Sequence, residues 1–451
     1  MKETKSDNLL KFFFSDGIDL SIENYSENLQ QTKEAIKKDK PLFEAGFTFE
    51  NCFSRADMLV PVGKEWDIIE VKSGTEVKDI NVHDVSFQKY VYEANGLKIR
   101  KCFLMHLNKE YFRKGKLDTK KLLVKEDVTS QVNLTMKGIK ERIDKMFEII
   151  ILDKPPKAGL LINQLIKEGN HDCFTENYID NLPENNVFCL YRGGKLSCEL
   201  FEKGILNLKD IPQNVKLNGK QNIQRECELK KEVYIDKEKI KEFLTTLKYP
   251  VYYLDFETFS TAIPMFDGLK AYSQVPFQFS LHIVKKEESK PEHYAFLYDG
   301  NGDPREEFAV ALKDLIGEKG TVLVYNQSFE IGRLKEIAEH FPEHKQWVDN
   351  VLTRIADLLV PFREFSYYNP KQQGSASIKK VLPAITEKSY KGMEIGDGGT
   401  ASVEFFNATY GTYTEEEKKK VRENLLKYCE LDTLAEVMIV EKLKGLVNQI
   451  S

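Results

Sequence analysis

Apolar segments interrupted at regular intervals by polar residues mark the C-terminal half of the chain. The segment 251–259 is apolar except for two carboxylates at alternate positions, which predicts a buried strand. The segment 425–435 has apolar residues three and four positions apart, which predicts an amphipathic helix. Between them, the segment 322–330 predicts a strand that runs into a helix, with Asn326 as the N-cap.

The first third of the chain carries a hairpin pattern. The segments 54–60 and 66–72 predict strands, and Gly63-Lys64 between them predicts a two-residue turn with Gly first. In that register, residues whose numbers add up to 127 face each other. The following segment, 84–96, predicts a helix that ends at a glycine.

Strands and helices thus alternate along the chain, which predicts the α/β class. Residues 1–155 form one predicted domain, and the breaker Pro155-Pro156 closes it. Residues 156–245 are predicted to be a connecting region with a hairpin and helices. Residues 246–451 form the second predicted domain.

Two features describe the predicted connecting region. The segment 187–201 predicts a hairpin that turns at Gly193-Gly194. The Lys- and Glu-rich segment 236–248 predicts a helix.

The carboxylates of the predicted strand carry candidate chemistry. Asp255 and Glu257 are two apart on a strand, so their side chains share a face and repel unless a cation neutralises them. Tyr428 and Asp432 are four apart on the predicted helix and share one of its faces. Glu330, at the end of the middle segment, is a third acidic candidate. The pattern predicts a metal site.

Together, the three segments resemble the motifs of the DnaQ-like 3′–5′ exonucleases, in the subclass whose last motif uses Tyr. The resemblance implies a ribonuclease H-like domain with a mixed sheet. It also implies that Asp255, Glu257 and Asp432 hold divalent ions and that Tyr428 orients the attacking water.

Glu330 is a departure, because most of these exonucleases have Asp at that position. Asp357 is a second acidic candidate. Phosphodiester hydrolysis can use two divalent ions roughly 3.5–4 Å apart. A carboxylate set without paired His or Cys suits Mg²⁺ or Mn²⁺.

A second group of candidate residues lies on the predicted hairpin. Asp57 faces Glu70 in the predicted register, and Lys72 projects from the same face as Glu70. This arrangement resembles the PD-(D/E)XK nucleases, and it implies a restriction-endonuclease-like domain with Asp57 and Glu70 as metal ligands. Without the resemblance, the same residues describe an edge hairpin with a surface ion pair between Glu70 and Lys72.

The helix after the hairpin extends this resemblance. Gln88 and Tyr92 share a helical face and resemble the Gln-x-x-x-Tyr motif of the RecB-like branch. Glu44, just before the first strand, is a further acidic candidate.

The order of the two groups resembles a little-characterised bacterial family, described only as a domain of unknown function, that fuses a RecB-like nuclease domain to a DnaQ-like exonuclease domain. Related nucleases carry four Cys for an iron–sulfur cluster. This chain has no Cys-x-x-Cys pair, so we expect no iron–sulfur cluster. Its seven cysteines stand at positions 52, 102, 173, 189, 198, 227 and 429.

Composition limits the function classes. No apolar run approaches the roughly 20 residues that span a bilayer, and the polar N-terminus lacks the features of a signal peptide, so a cytoplasmic protein without a membrane partner is expected. The net charge of −5 argues against binding nucleic acid by bulk electrostatics. Residues 98–125, however, hold ten Lys or Arg against two acidic residues. This segment predicts either a surface that binds the phosphate backbone of a nucleic acid or a solvated basic surface.

We therefore expect a metal-dependent nuclease that hydrolyses DNA in repair, recombination or defence. The C-terminal site would be the 3′–5′ exonuclease, and the N-terminal site a second nuclease. DNA is favoured over RNA as the nucleic-acid partner, and the sequence does not identify protein partners. The alternatives are an RNA exonuclease and a nucleic-acid-binding scaffold with partly degenerate sites.

Overall fold

The computed structural model describes residues 16–153 and 182–448. Two compact units make up the chain: Met1–Pro156 with Ser260–Ser273, and Lys157–Phe259 with Gln274–Ser451. Both units combine sheets and helices, so the predicted α/β class is confirmed. The predicted breaker Pro155-Pro156 and Cys173 lie outside the described residues.

The first unit is built on a six-stranded sheet with the order β1-β2-β3-β4-β5-β6. Neighbouring strands are antiparallel except for two parallel pairs, β1 with β2 and β4 with β5. The strands are β1 (Ile18–Asp19), β2 (Leu42–Phe49), β3 (Cys52–Val62), β4 (Glu65–Lys72), β5 (Ile99–Leu107) and β6 (Leu123–Asp127).

The predicted hairpin register is confirmed. Met58 pairs with Ile69 and Val62 with Glu65, so the numbers of paired residues do add up to 127. Gly63 has a φ of +63°, a conformation that glycine adopts without the steric cost other residues would meet. The turn therefore sets which side chains of β3 and β4 stand opposite each other.

Helices cover the sheet of the first unit. The predicted helix at 84–96 is confirmed but begins earlier, at Asp79, where the Lys78 N–H donates to Asn81 Oδ1 at 3.0 Å. Its buried residues, among them Val85 and Val91, join the main core of the unit. The helices are α1 (Tyr25–Ala35), α2 (Asp79–Ala94), α3 (Thr119–Leu122), α4 (Thr129–Thr135) and α5 (Ile139–Ile150).

The segment 260–273 is held to the first unit by Arg113. The Arg113 guanidinium donates to the carbonyl of Pro264 at 3.1 Å, and the Arg113 N–H donates to the carbonyl of Leu269 at 2.9 Å. Ala271 packs with Tyr111 in a small apolar cluster. This stretch therefore belongs to the first unit although it follows a strand of the second.

The second unit is built on a five-stranded mixed sheet with the order β10-β9-β8-β11-β12. The central strand β8 runs antiparallel to β9 and parallel to β11. The strands are β8 (Val251–Phe259), β9 (Val275–Val284), β10 (Glu292–Leu297), β11 (Thr321–Val324) and β12 (Ile355–Asp357). A separate two-stranded sheet pairs β7 (Tyr234–Ile235) with β13 (Tyr367–Tyr368).

The second unit contains ten α-helices within the described residues. They are α6 (Lys195–Glu202), α7 (Gly219–Lys230), α8 (Lys237–Thr245), α9 (Arg305–Leu315), α10 (Ser328–His340), α11 (Lys345–Leu352), α12 (Val360–Arg363), α13 (Ile378–Thr386), α14 (Gly398–Tyr410) and α15 (Glu415–Asn448). The predicted helix at 425–435 is confirmed as part of α15, and the predicted helix at 236–248 is confirmed as the shorter α8. None of the helices within the described ranges is both long and apolar enough to cross a membrane.

Alternation along β8 separates the core from the candidate site. Leu254 and Phe256 join a core cluster with Phe308 of α9 and Leu334 of α10, and the Phe256 and Phe308 rings meet edge to face at 5.0 Å. Because strand side chains alternate, the intervening positions of β8 face the other side, where α15 packs. Both predicted carboxylates lie at those positions.

The predicted hairpin at 187–201 is wrong. The segment forms a short 3₁₀ helix, Val187–Cys189, followed by α6. The Ser197 hydroxyl donates to the carbonyl of Val187 at 2.7 Å, and a Cβ on Gly193 would lie 2.0 Å from Ser197 Oγ. Gly193 therefore permits a close approach at the start of a helix, and Gly194, with a φ of +48°, precedes that helix rather than a second strand.

Candidate functional site

The strand β8 presents Asp255 and Glu257 to α15. Asp255 is partly buried and Glu257 is buried. Cys429 of α15 packs onto the strand, with its Sγ 3.8 Å from Asp255 Oδ2. A carboxylate oxygen of each acid and the Cys429 Sγ all lie within 4.8 Å of one another. Strand and helix therefore meet directly at the predicted carboxylate pair.

The helix α15 adds Tyr428 and Asp432 to the same cluster, and both side chains are buried. The Tyr428 hydroxyl lies near Asp432 and lowers the pKa of that carboxyl. The Tyr390 hydroxyl donates to Asp432 Oδ1 at 2.5 Å. The Tyr390 phenol thus fixes the orientation of the Asp432 carboxylate. No sequence pattern indicates Tyr390, whereas the four-residue spacing to Asp432 indicates Tyr428.

Burial, reinforced by repulsion between the carboxylates, raises the pKa values of this cluster. Burial, followed by the charges of Asp432 and Glu257, raises the pKa of Asp255 well above its ordinary value. Burial and Asp432 raise the pKa of Glu257 to about 8, and burial raises that of Asp432 to about 7. Buried carboxylates this close together favour either protonation or a bound cation.

Lys379 is the basic side chain that acts on this cluster. Its charge lowers the pKa values of Glu257 and Asp432, against the effect of burial. Its Nζ lies 5.4 Å from the ring centroid of Tyr428 and 5.9 Å from that of Tyr390. Lys379 comes from α13, far from the other residues in sequence, so no local pattern could have indicated it.

Glu330 reaches the cluster from the first turn of α10. It is 2% exposed, and its Oε2 has no hydrogen-bond partner among the described residues. Burial raises its pKa to about 8, and its charge in turn raises the pKa values of Asp255 and Glu257. The structure therefore places Glu330, which stands where most of these exonucleases have Asp, near Asp255 and Glu257. One of its carboxylate oxygens is available to a ligand.

Asp357 has a different environment. It accepts hydrogen bonds from the N–H groups of Asn326 and Leu359, each at 2.9 Å. Asn326 is not the predicted N-cap, because α10 begins two residues later and Asn326 has a φ of +76°. Asp357 therefore holds the turn that leads into α10 and positions Glu330.

Glu436 is a further acidic residue of the cluster. It lies one helical turn after Asp432, is 1% exposed, and neither of its carboxylate oxygens has a partner within the described part of the chain. Burial and the charges of Asp255 and Glu330 raise its pKa well above the ordinary value. Continuing the four-residue spacing of Tyr428 and Asp432 along α15 would have found it.

The donor atoms fit a hard divalent cation. Buried carboxylate oxygens dominate the cluster, and those of Glu330 and Glu436 lack partners among the residues described. Such oxygens suit Mg²⁺ or Mn²⁺, and Asp255, Glu257 and Asp432 are the residues that would hold the ion.

The first unit assembles four of the five residues of the second predicted group. The Gln88 amide donates to Glu70 Oε2 at 2.7 Å, and the Lys72 ammonium donates to Glu70 Oε1 at 2.7 Å. The Val71 N–H donates to Asp57 Oδ2 at 2.6 Å. Burial and Glu70 raise the pKa of Asp57 to about 8.

Two acidic residues border this group. Asp84, which the sequence did not indicate, accepts from the Lys72 ammonium at 2.6 Å. Glu44 forms an ion pair with Arg55 at 2.7 Å, and its charge contributes to the raised pKa of Asp57. The Lys72 ammonium is thus paired with two carboxylates, those of Glu70 and Asp84. The charge of Glu70 still raises the pKa of Asp57.

Tyr92 does not contact these carboxylates. It is fully buried; its hydroxyl donates to the carbonyl of Ala45 at 2.8 Å and accepts from the N–H of Ala56 at 2.7 Å. The phenol therefore bridges β2 and β3 behind the candidate site, and its role in this structure is to support the strands.

Tyr92→Phe is expected to destabilise the protein by about 1–3 kcal/mol, because it leaves a buried N–H and a buried carbonyl without their partner. Tyr90→Phe, on the partly exposed side of the same helix, should change stability by no more than about 0.5 kcal/mol. Urea denaturation of the three proteins measures both effects. Equal stability of the Tyr92 variant and the wild type would contradict the bridging role.

The basic segment 98–125 is partly neutralised within the first unit. Arg100 pairs with Asp67 at 2.5 Å, and Lys101 pairs with Asp127 at 2.7 Å. Lys125 lies over the ring of Phe103 at 4.4 Å. These contacts favour the solvated-surface alternative for this part of the segment.

A protein-family model matches part of the chain. Residues 252–377 match the model of a family described as "Domain of unknown function (DUF2779)". The matched residues include β8 with Asp255 and Glu257, and α10 with Glu330. The matched range ends before α15, which carries Tyr428, Asp432 and Glu436.

Relatives with similar sequences occur in mollicute bacteria. An uncharacterized protein of Ureaplasma parvum serovar 3 is 28% identical over 230 residues, which cover 46% of this chain and 33% of that protein. Uncharacterized proteins of Mycoplasma pneumoniae and Mycoplasma genitalium are each 28% identical, over 47% of this chain and 34% of their own length. The chain thus spans about a third of the length of these curated relatives. No solved structure matches the chain significantly.

Proposed function

We propose that the second unit is a metal-dependent 3′–5′ exonuclease of the DnaQ-like, ribonuclease H-like type, acting on DNA in repair, recombination or defence in the cytoplasm. One observation carries the proposal. Asp255, Glu257, Glu330 and Asp432, drawn from three separated segments, converge on one cluster beside Tyr428.

The sheet supports the same proposal. The exonuclease resemblance implies a mixed sheet that carries the first carboxylate pair, and β8 is the central strand of a mixed five-stranded sheet. Its other face is filled by apolar packing against α9 and α10. Asp255 and Glu257 are therefore held on a rigid element, as a precisely positioned site requires.

Each residue has a defined task in this proposal. Asp255, Glu257 and Asp432 would hold divalent ions, which supply an activated water and stabilise the charge that develops on the phosphate. Tyr428 would orient the attacking water through its hydroxyl. Lys379, which already lowers the pKa values of Glu257 and Asp432, would favour their ionised forms and attract the phosphate.

The first unit is proposed as a second, RecB-like PD-(D/E)XK nuclease site. Asp57 and Glu70 would hold the metal ion, Lys72 would contact the scissile phosphate or the nucleophilic water, and Gln88 orients Glu70. The supporting observation is the joint placement of these four side chains by the confirmed hairpin register and by α2.

The experiment uses 5′-labelled single-stranded DNA and RNA of one sequence, with Mg²⁺, Mn²⁺ or EDTA. Wild type and Lys72→Ala are both expected to give a ladder of shortened DNA with either ion and no products in EDTA. A faster ladder on RNA would replace DNA by RNA as the substrate. Intact substrates that remain bound to the protein would favour the scaffold.

A further inference from the structure

Two histidines of the second unit face each other on neighbouring strands. His282 of β9 pairs with His293 of β10 in the antiparallel ladder, and their ring centroids lie 4.5 Å apart. Glu430 of α15 approaches them, with its Oε1 3.8 Å from His293 Nδ1. One ligand atom from each of the three residues lies within 4.8 Å of the other two. Imidazoles and a carboxylate from three elements thus converge on one point.

Two hydroxyls orient the histidine rings. Thr433 Oγ1 lies 2.8 Å from His282 Nδ1, and Ser280 Oγ lies 3.0 Å from His293 Nε2. The hydroxyls are themselves hydrogen-bonded at 2.7 Å. Each ring therefore uses one nitrogen to bind a hydroxyl and keeps the other, Nε2 of His282 and Nδ1 of His293, for a ligand. Metal-binding histidines are typically oriented in this way.

We propose that His282, His293 and Glu430 bind a divalent transition-metal ion of the Zn²⁺ class, at a site separate from the carboxylate cluster. Two imidazole nitrogens and one carboxylate oxygen form a donor set that suits Zn²⁺, whereas Mg²⁺ prefers oxygen ligands. The side chains of His293 and Glu430 are 29% and 50% exposed, so they can close the last distance to the ion.

The environment of His282 favours this use. The residue is 4% exposed, and burial together with His293 lowers its pKa to about 4. The imidazole is then neutral near pH 7, which is the form that binds metal ions.

The ion would connect the β9–β10 hairpin to α15. Glu430 lies between Tyr428 and Asp432 on this helix, so zinc at this site would restrain the segment that carries both residues. The inference does not depend on the proposed nuclease activity, because binding of zinc can be measured directly.

Calorimetric titration of metal-stripped, full-length protein with Zn²⁺ in excess Mg²⁺ tests the proposal. One equivalent of Zn²⁺ should bind to the wild type, and His293→Ala and Glu430→Gln should each weaken binding at least about tenfold. His83→Ala, at an exposed His of the first unit, and Asp255→Asn should leave it unchanged. Zinc at about 100 times its Kd should raise the Tm of the wild type by about 4 °C and that of His293→Ala by much less.

Cobalt distinguishes this site from one that uses cysteine. Co²⁺ bound to two imidazoles and a carboxylate gives no thiolate-to-cobalt charge-transfer band, whereas Co²⁺ at Asp255, Glu257 and Cys429 would give one. The proposal is overturned if the wild type binds no zinc, if both site variants bind it like the wild type, or if the thiolate band appears. His293 is exposed, so its variant is expected to fold, which circular dichroism of the metal-free proteins checks.

Discussion

Asp255→Asn is expected to reduce metal-dependent DNA shortening at least about 1,000-fold without unfolding the protein. A divalent ion contributes several kcal/mol to stabilising the transition state, and each 1.4 kcal/mol corresponds to a factor of ten in rate. Asn has nearly the same shape as Asp but lacks the charge needed to hold the ion. The effect should appear in kcat rather than in binding of the DNA.

The fold of this variant should be at least as stable as that of the wild type in EDTA. Asp255 is repelled by Asp432, Glu257 and Glu330, so removing its charge relieves three unfavourable interactions. Asp349→Asn, at an exposed residue of α11, is the matched control and should keep full activity. A ladder of undiminished intensity from Asp255→Asn would exclude the carboxylate cluster as the exonuclease site.

Local sequence patterns predicted the strands, helices and turn that carry most residues of both candidate sites. The apolar run of β8, the four-residue spacing on α15 and the two-residue turn at Gly63 each depend on neighbouring residues. Side chains on one strand or one helix face are fixed relative to each other by the backbone, so their spacing can be read from the sequence. Asp255 with Glu257, and Tyr428 with Asp432, belong to this class.

The other residues of the candidate sites are brought into place by tertiary packing, which local sequence patterns do not show. Lys379 and Tyr390 come from segments between the motifs, and no periodicity connects them to Asp432. The hydroxyl of Tyr92 shares a helical face with Gln88 but reaches the backbone of β2 and β3 instead of the carboxylates. The Gly193-Gly194 pair gave a wrong hairpin because glycine permits both tight turns and close helix packing.

The stability of the metal-free protein should fall as pH rises from about 5 to about 8.5. Glu257 has a pKa of about 8 in the folded state, against about 4.3 in an unfolded chain. Between these values the folded state binds more protons than the unfolded state, so raising the pH favours unfolding. This loss of stability is absent below the pKa of Glu257 in the unfolded chain and complete above its pKa in the folded state.

Glu257→Gln removes this titration and isolates its contribution. In EDTA the variant should gain stability over the wild type as the pH rises, by an amount on the order of 3 kcal/mol at pH 8.5. Urea denaturation at pH 5 and pH 8.5 measures the difference, with Asp349→Asn as the control. A gap between wild type and variant that is constant with pH would contradict the shifted pKa.

Saturating Mg²⁺ should reverse the sign of the pH effect in the wild type. The cation stabilises the ionised carboxylates of the folded state, and it competes with protons for the same oxygens. Its stabilisation should therefore be small at pH 5 and grow toward pH 8.5, where the wild type should become more stable than Glu257→Gln. A ligand stabilises a protein by binding to its folded state. If Mg²⁺ does not stabilise the wild type at pH 8.5, these buried carboxylates are not a cation site.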